Sequence, residues 1–375
     1  MDHQISIREI LLDEEREVRL LYKRSLGLID RIAFSLAFRA TLKSARRQKG
    51  SCLVALHEGR FVGSFSLKII SIAGQSIGFI DAIVIDRNFR GMGIGKYLME
   101  EALSWFKKRE CETICATADR YNSPSWNMFI HKGFSIYDFP GQFRDFGWHF
   151  IRLWLAEGYI IGFGTFFLRK TSGGERQIEA GQTWHFLAAW LVLALLWWIP
   201  TVRGGSSLVL IPLILPVAGL SLFAHELAHK LVASFSGLKT IFRVWESGLV
   251  FSSLLALVGA FFPAYGSTYI KQVDWRYDAK RKGTGWIFVA GPAVSMALAI
   301  SFWMVMYFAN NELLVATARV GYLTNLFFVI LNLLPIQATG GPGAWDGRKI
   351  FVWNKTVWSL LTIGVASLIV IDVLL

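Results

Sequence analysis

Phe223-Ala224-His225-Glu226-Leu227-Ala228-His229-Lys230 lies inside an apolar run that extends from Leu208 to Phe235. On a helix, His225 and His229 stand four residues apart on one face, so both imidazoles can reach a single metal ion with Glu226 beside them. This H-E-x-x-H spacing is that of zinc hydrolases, here set in a stretch long enough to cross a membrane. Each ionisable side chain at membrane depth costs about 2.5–3.5 kcal/mol on insertion scales. A cluster of three therefore calls for metal ligation or water.

The surroundings make the membrane reading general to the C-terminal half. Up to about Lys170 the chain mixes polar and apolar residues; beyond Trp184 long apolar runs dominate, and the mean hydropathy of the whole is +0.44. Trp184–Pro200, Leu208–Phe235, Trp286–Phe308, Leu313–Leu334 and Val357–Leu375 have spanning length, whereas Gly248–Phe262 is shorter and reads as a re-entrant or interfacial segment. About five transmembrane helices plus one re-entrant segment place Lys239, Arg243, the basic residues of 271–282, Arg348, Lys349 and Lys355 on one side. The positive-inside bias makes that side the cytoplasm. The formal charge of +12 is thus explained by membrane topology and not by a nucleic-acid partner. Met1-Asp2-His3-Gln4 does not open a secretory signal, so the N-terminal half is expected to be cytoplasmic in an integral membrane protein. Cys52, Cys111 and Cys115 lack metal-site spacing and are expected to be reduced core residues.

Catalytic zinc takes three protein ligands and keeps one position for water. Asp346 is the only carboxylate between Glu312 and Asp372, and the topology puts it at the same end of the membrane region as the histidines. Asn332-Leu333-Leu334-Pro335 precedes Asp346-Gly347 after a later span. H-E-x-x-H in one span and N-x-x-P followed by D-G resemble the site-2 protease family of intramembrane metalloproteases over residues 184–375. The resemblance implies that His225, His229 and Asp346 bind Zn2+, that Glu226 activates water, and that Asn332 positions the substrate or the oxyanion. It also implies a membrane-spanning protein substrate. Ala290-Gly291-Pro292-Ala293-Val294-Ser295 matches the family's A-G-P-x-x-N segment, with Ser295 in place of asparagine. The step from Pro335 to Asp346 is longer than is usual in that family.

In the N-terminal half, Ile5–Ile10 reads as a strand, 13–45 as helical, and Cys52–Leu56 with Phe61–Ile70 as a hairpin around His57-Glu58-Gly59-Arg60. Ile77–Ile85 is a further strand running into Arg90-Gly91-Met92-Gly93-Ile94-Gly95-Lys96, and a helix follows to about Lys108. Strand, glycine-rich turn and helix aim backbone N–H groups and a positive helix end at a phosphate. Cys111–Thr117 and Phe163–Arg169 read as later strands, and Trp148, Phe150 and Trp154 are spaced for one face of a short helix, either core or membrane anchor.

Arg90-Gly91-Met92-Gly93-Ile94-Gly95 resembles the R/Q-x-x-G-x-G/A signature of the GNAT acyltransferases, and 122–134, ending in Gly133-Phe134, is similar to that family's later segment. The resemblance spans about residues 4–170. It implies that Arg90, Gly91, Gly93, Gly95, Lys96 and Asn122 bind acetyl-CoA or a related acyl-CoA. Phe129, which has no proton to donate, stands where many members carry a tyrosine general acid; Asp81 matches a general-base position, and Tyr121 and Tyr137 are the other candidate donors.

The expected fold is therefore two-domain: an α+β mixed-sheet GNAT-like domain (1–172), a linker (173–183) and an all-α polytopic membrane domain (184–375). The leading expectation is a zinc metalloendopeptidase with a GNAT-like domain that acetylates a substrate or senses acetyl-CoA. The alternative is a membrane-tethered N-acetyltransferase whose protease-like half is only an anchor.

Overall fold

The structure, a computed structural model, describes residues 5–11, 13–120, 122–172, 181–203, 208–270, 284–336 and 345–374. Two compact units emerge, one built mainly of Met1–Tyr159 and Thr165–Glu179, the other of Ile160–Gly164, Ala180–Gln337 and Pro342–Leu375.

In the first unit the chain runs β1 (Ile5–Glu9), α1 (Glu15–Ser25), α2 (Leu28–Ala45), β2 (Gly50–His57), β3 (Arg60–Ile72), β4 (Gln75–Ile85) and α3 (Ile94–Lys107). It continues as β5 (Thr113–Asp119), α4 (Ser123–His131), β6 (Ser135–Ile136), α5 (Phe139–Phe146), α6 (Phe150–Glu157) and β7 (Thr165–Thr171). The helical pattern over 13–45 proves to be two helices, because Leu26 and Gly27 both take extended backbone between them. The β2–β3 turn forms at Glu58 (φ 51°) and Gly59 (φ 76°), the left-handed pair that matches strand twist in a two-residue hairpin.

The seven strands form one sheet in the order β1-β2-β3-β4-β5-β7-β6. Only β4 and β5 are parallel, paired from Ile77↔Thr113 to Ile80↔Ala116. Beyond Ile80 that pairing stops although β4 continues to Ile85, so the two strands part at Asp81 and Thr117. Val18, Leu21, Tyr22 and Phe38 from α1 and α2 pack on Cys52, Val54 and Phe61. All three cysteines are free and buried, as core residues. Phe150 and Trp154 are buried too, whereas Trp148 is 75% exposed.

The second unit comprises α7 (Gln182–Arg203), α8 (Ile211–Phe235), β8 (Thr240–Val244), α9 (Glu246–Leu257), β9 (Gly266–Ile270), α10 (Thr284–Phe308), α11 (Glu312–Leu333), α12 (Asp346–Trp353) and α13 (Lys355–Leu374). Helices α7, α8, α10, α11 and α13 have 22, 25, 25, 22 and 20 residues and are apolar enough to cross a membrane. Ala218 and Leu222 of α8 pack with Leu193 of α7 and Phe328 of α11; Phe288 of α10 packs with Val329 of α11 and Ile350 of α12.

The segment expected to be re-entrant is more structured than a single apolar run suggests. Its helix, α9, has 12 residues and lies between β8 and β9, which pair antiparallel from Thr240↔Ile270 to Val244↔Gly266. Pairing satisfies backbone groups that lipid could not. α7 begins at Gln182, inside the stretch assigned to the linker; the remaining linker residues 173–180, the basic 271–282 segment, Tyr121 and 337–343 lie outside the described residues.

Candidate metal centre

Helix α8 carries His225, Glu226 and His229 on its buried face, with 1%, 3% and 3% of their surface exposed. The two Nε2 atoms face each other at 3.2 Å. Asp346, the first residue of α12, brings Oδ2 to 3.2 Å from His229 Nε2. One ligand atom from each of His225, His229 and Asp346 fits within 4.8 Å of the others, a spacing suited to a single cation.

The backs of both imidazoles are held. His225 Nδ1 lies 2.8 Å from Ser295 Oγ, and His229 Nδ1 lies 2.6 Å from the Ile287 carbonyl. Donation from Nδ1–H leaves each Nε2 lone pair for a metal. Gly291 of α10 supplies the space in front of them: a Cβ there would lie 2.6 Å from His225 Nε2 and would strike His229 as well. Glu226 Oε2 is buried with no hydrogen-bond partner among the described residues. An orphan carboxylate oxygen beside three converging ligands fits a metal-bound water.

The hairpin completes the pocket. Tyr265, 5% exposed, lies against the Glu226 and Asn332 side chains, and its ring meets Phe328 at 4.9 Å. Thr268 of β9 also approaches Glu226. Asn332, in the last turn of α11, is half-buried. Lys349, three residues after Asp346, is 1% exposed and sets Nζ 3.1 Å from Asp346 Oδ1.

The glycine-rich loop of the other unit sits between β4 and α3. Gly91 (φ 86°) and Gly93 (φ 79°) are both left-handed, and Gly93 directly caps α3, whose first N–H groups follow at Ile94, Gly95 and Lys96. Arg90 Nε reaches back to the Ile85 carbonyl at 3.4 Å, and Asn122 caps α4 just after β5. The loop and Asn122 thus share the C-terminal end of the one parallel strand pair. Asp81 is not free to act alone, since Lys68 Nζ donates to it and, at 2.5 Å, to the Ala156 carbonyl. Tyr137 is likewise occupied, its hydroxyl donating to Asp145 at 2.9 Å, and Phe129 is core, edge-on to Phe134. Beside Asp81 lies Glu157, whose Oε1 is buried without a hydrogen-bond partner among the described residues.

A family model, Acetyltransferase (GNAT) family, matches residues 7–135. The first unit therefore carries a GNAT acetyltransferase domain. A protein of Methanocaldococcus jannaschii, "Putative zinc metalloprotease MJ0611", is 35% identical over 139 residues, 36% of this chain and 68% of that protein. The chain belongs to the same family as that protein. Among solved structures, PaiA N-acetyltransferase from Thermoplasma acidophilum in complex with coenzyme A matches at 16% identity and a TM-score of 0.34, covering 45% of this chain and 99% of that one. A GNAT family acetyltransferase from Brucella melitensis in complex with acetyl-CoA matches at 14% identity and a TM-score of 0.31, covering 48% and 94%.

In this chain the structure brings His225, His229, Asp346 and Glu226 together and sets Asn332 beside Tyr265. Sequence reasoning missed Tyr265, Thr268, Lys349 and Glu157. The first two stand in a hairpin with too few residues to show a strand period. The lysine carried a signal: a cation three residues after a helix-initial aspartate shares its face.

Proposed function

We propose that the second unit is an intramembrane zinc metalloprotease of the site-2 protease type. The observation that carries this reading is the convergence of His225, His229 and Asp346 beside the orphan Oε2 of Glu226. Two neutral imidazoles and one carboxylate are a donor set that zinc takes, and Zn2+ bound there would acidify a water toward a pKa of about 7. Glu226 takes the proton at Oε2 and returns it to the departing amide nitrogen. Asn332 and Tyr265 donate hydrogen bonds to the carbonyl oxygen as charge develops on it. The β8–β9 hairpin offers backbone to an unwound, membrane-spanning substrate segment. Burial of the whole centre keeps bulk water away from these charges.

The first unit binds acetyl-CoA at the Gly91–Lys96 loop, with N–H groups of α3 and Lys96 on the pyrophosphate and Asn122 beside it. With the N-terminal unit cytoplasmic, as the distribution of Lys and Arg favours, the cofactor is within reach of that loop.

The test is Glu226→Gln in the full chain, assayed against co-expressed single-span fusion proteins cleaved by the wild type. Cleavage should be lost while zinc content is kept. Undiminished cleavage by the variant would refute the assignment. For the loop, acetyl-CoA should slow amide exchange at the start of α3, and Gly93→Glu should remove that protection.

A further inference from the structure

We infer that Lys349 is a positioning residue that divides the Asp346 carboxylate, holding Oδ1 so that only Oδ2 is offered to the metal. The inference rests on the metal-centre reading above.

The two oxygens of Asp346 face different partners. Oδ2 lies 3.2 Å from His229 Nε2, on the side where the ligand atoms converge, and Oδ1 lies 3.1 Å from Lys349 Nζ. Helix α12 builds this arrangement locally: Asp346 occupies its first turn and Lys349 follows three residues later, on the same face. The ammonium also lies over the Phe288 ring, 4.7 Å from its centroid, an orientation that favours a cation. Lys349 is as buried as the histidines, at 1% exposure. An ammonium at such a place costs several kcal/mol unless it is paired, and Asp346 Oδ1, 3.1 Å away, supplies that pairing.

A carboxylate with both oxygens free can chelate a metal. Chelation adds a ligand and takes up the position that a catalytic site keeps for water. With Oδ1 occupied by Lys349, Asp346 is restricted to one bond, and the coordination set of two imidazole nitrogens and one oxygen retains its open position. The same ammonium draws charge from the carboxylate, leaving a bound cation more acidic than aspartate alone would.

The experiment compares the Co2+-loaded full chain, in detergent, as wild type, Lys349→Met and Lys349→Arg. Wild type should show the intense visible bands of four-coordinate Co2+. Lys349→Met should show the weaker bands of five-coordinate Co2+, while keeping its metal, and Lys349→Arg should restore the wild-type spectrum. Identical spectra for wild type and Lys349→Met would overturn the inference. X-ray absorption of the Zn2+-loaded wild type decides the point independently of how the variants fold: a singly bonded carboxylate supports it, and a chelating one overturns it. A wild-type chain that takes up neither metal would sink the metal-centre reading itself, whereas a loaded chain with chelating Asp346 would sink only the role of Lys349.

Discussion

Gly291 of α10 faces His225 of α8 so closely that a Cβ on it would lie 2.6 Å from His225 Nε2. The two Nε2 atoms therefore point into a space that only a residue without a side chain leaves open. Gly291→Ala should push the imidazoles off their ligating geometry. Overpacking of this kind costs about 1–3 kcal/mol, which corresponds to roughly a fivefold to 150-fold loss of metal affinity. Competition with a zinc chelator measures it, and unchanged affinity would show that the histidines can retreat without cost.

Ser295 stands where the resembling family has asparagine, and it serves as the partner of His225 Nδ1 at 2.8 Å. Ser295→Ala should weaken metal binding and cleavage by about 10–100-fold, the usual cost of losing such support. Ser295→Asn, which also offers an oxygen to Nδ1–H, should recover most of it. The alanine variant matching wild type in a metal titration would count against Ser295 as the orienting group.

Tyr265 lies against Glu226 and Asn332 in the pocket. If its hydroxyl supports the carbonyl oxygen as charge develops, Tyr265→Phe should lower kcat by about 100-fold or more, with little change in KM. Single-turnover cleavage by the variant reports this. A rise in KM alone would mark Tyr265 as a substrate-binding surface.

Burial, and then the neighbouring Asp81, push the Glu157 carboxyl well above the ordinary range, with Lys68 pulling the other way. The folded chain therefore keeps this proton to higher pH than the unfolded chain, whose glutamates ionise near about pH 4.3. Native stability consequently falls as pH rises from the unfolded value toward the folded one. Glu157→Gln cannot ionise and escapes this loss. Amide exchange in β4 and β5 should give variant and wild type similar protection at low pH, with the variant increasingly protected as pH rises. A gap that does not widen with pH would contradict a buried, proton-retaining Glu157.

Much of the metal centre was legible from spacing. His225, Glu226 and His229 share a face because the helix period dictates it, and Asp346 stood out as the lone carboxylate of its region. The five long apolar helices were legible from hydropathy, and the order of strands and helices in the first unit from its alternating periods. What the sequence hid were relationships between elements distant along the chain. Asp81 resembles a general base in its strand, yet Lys68 on the neighbouring strand β3 claims it. β8 and β9 have five residues each and are defined by pairing with each other, so neither shows a period long enough to read. Ser295 looked like a departure from a motif until its partner, His225, seventy positions away, was placed beside it.

The central claim, that His225, His229 and Asp346 hold one metal ion, is tested most directly by the metal content of the purified full chain. Wild type should carry about one zinc per chain, as a single four-ligand site requires. His225→Ala and Asp346→Ala should each carry almost none while remaining folded. Full zinc content in either alanine variant would contradict the account.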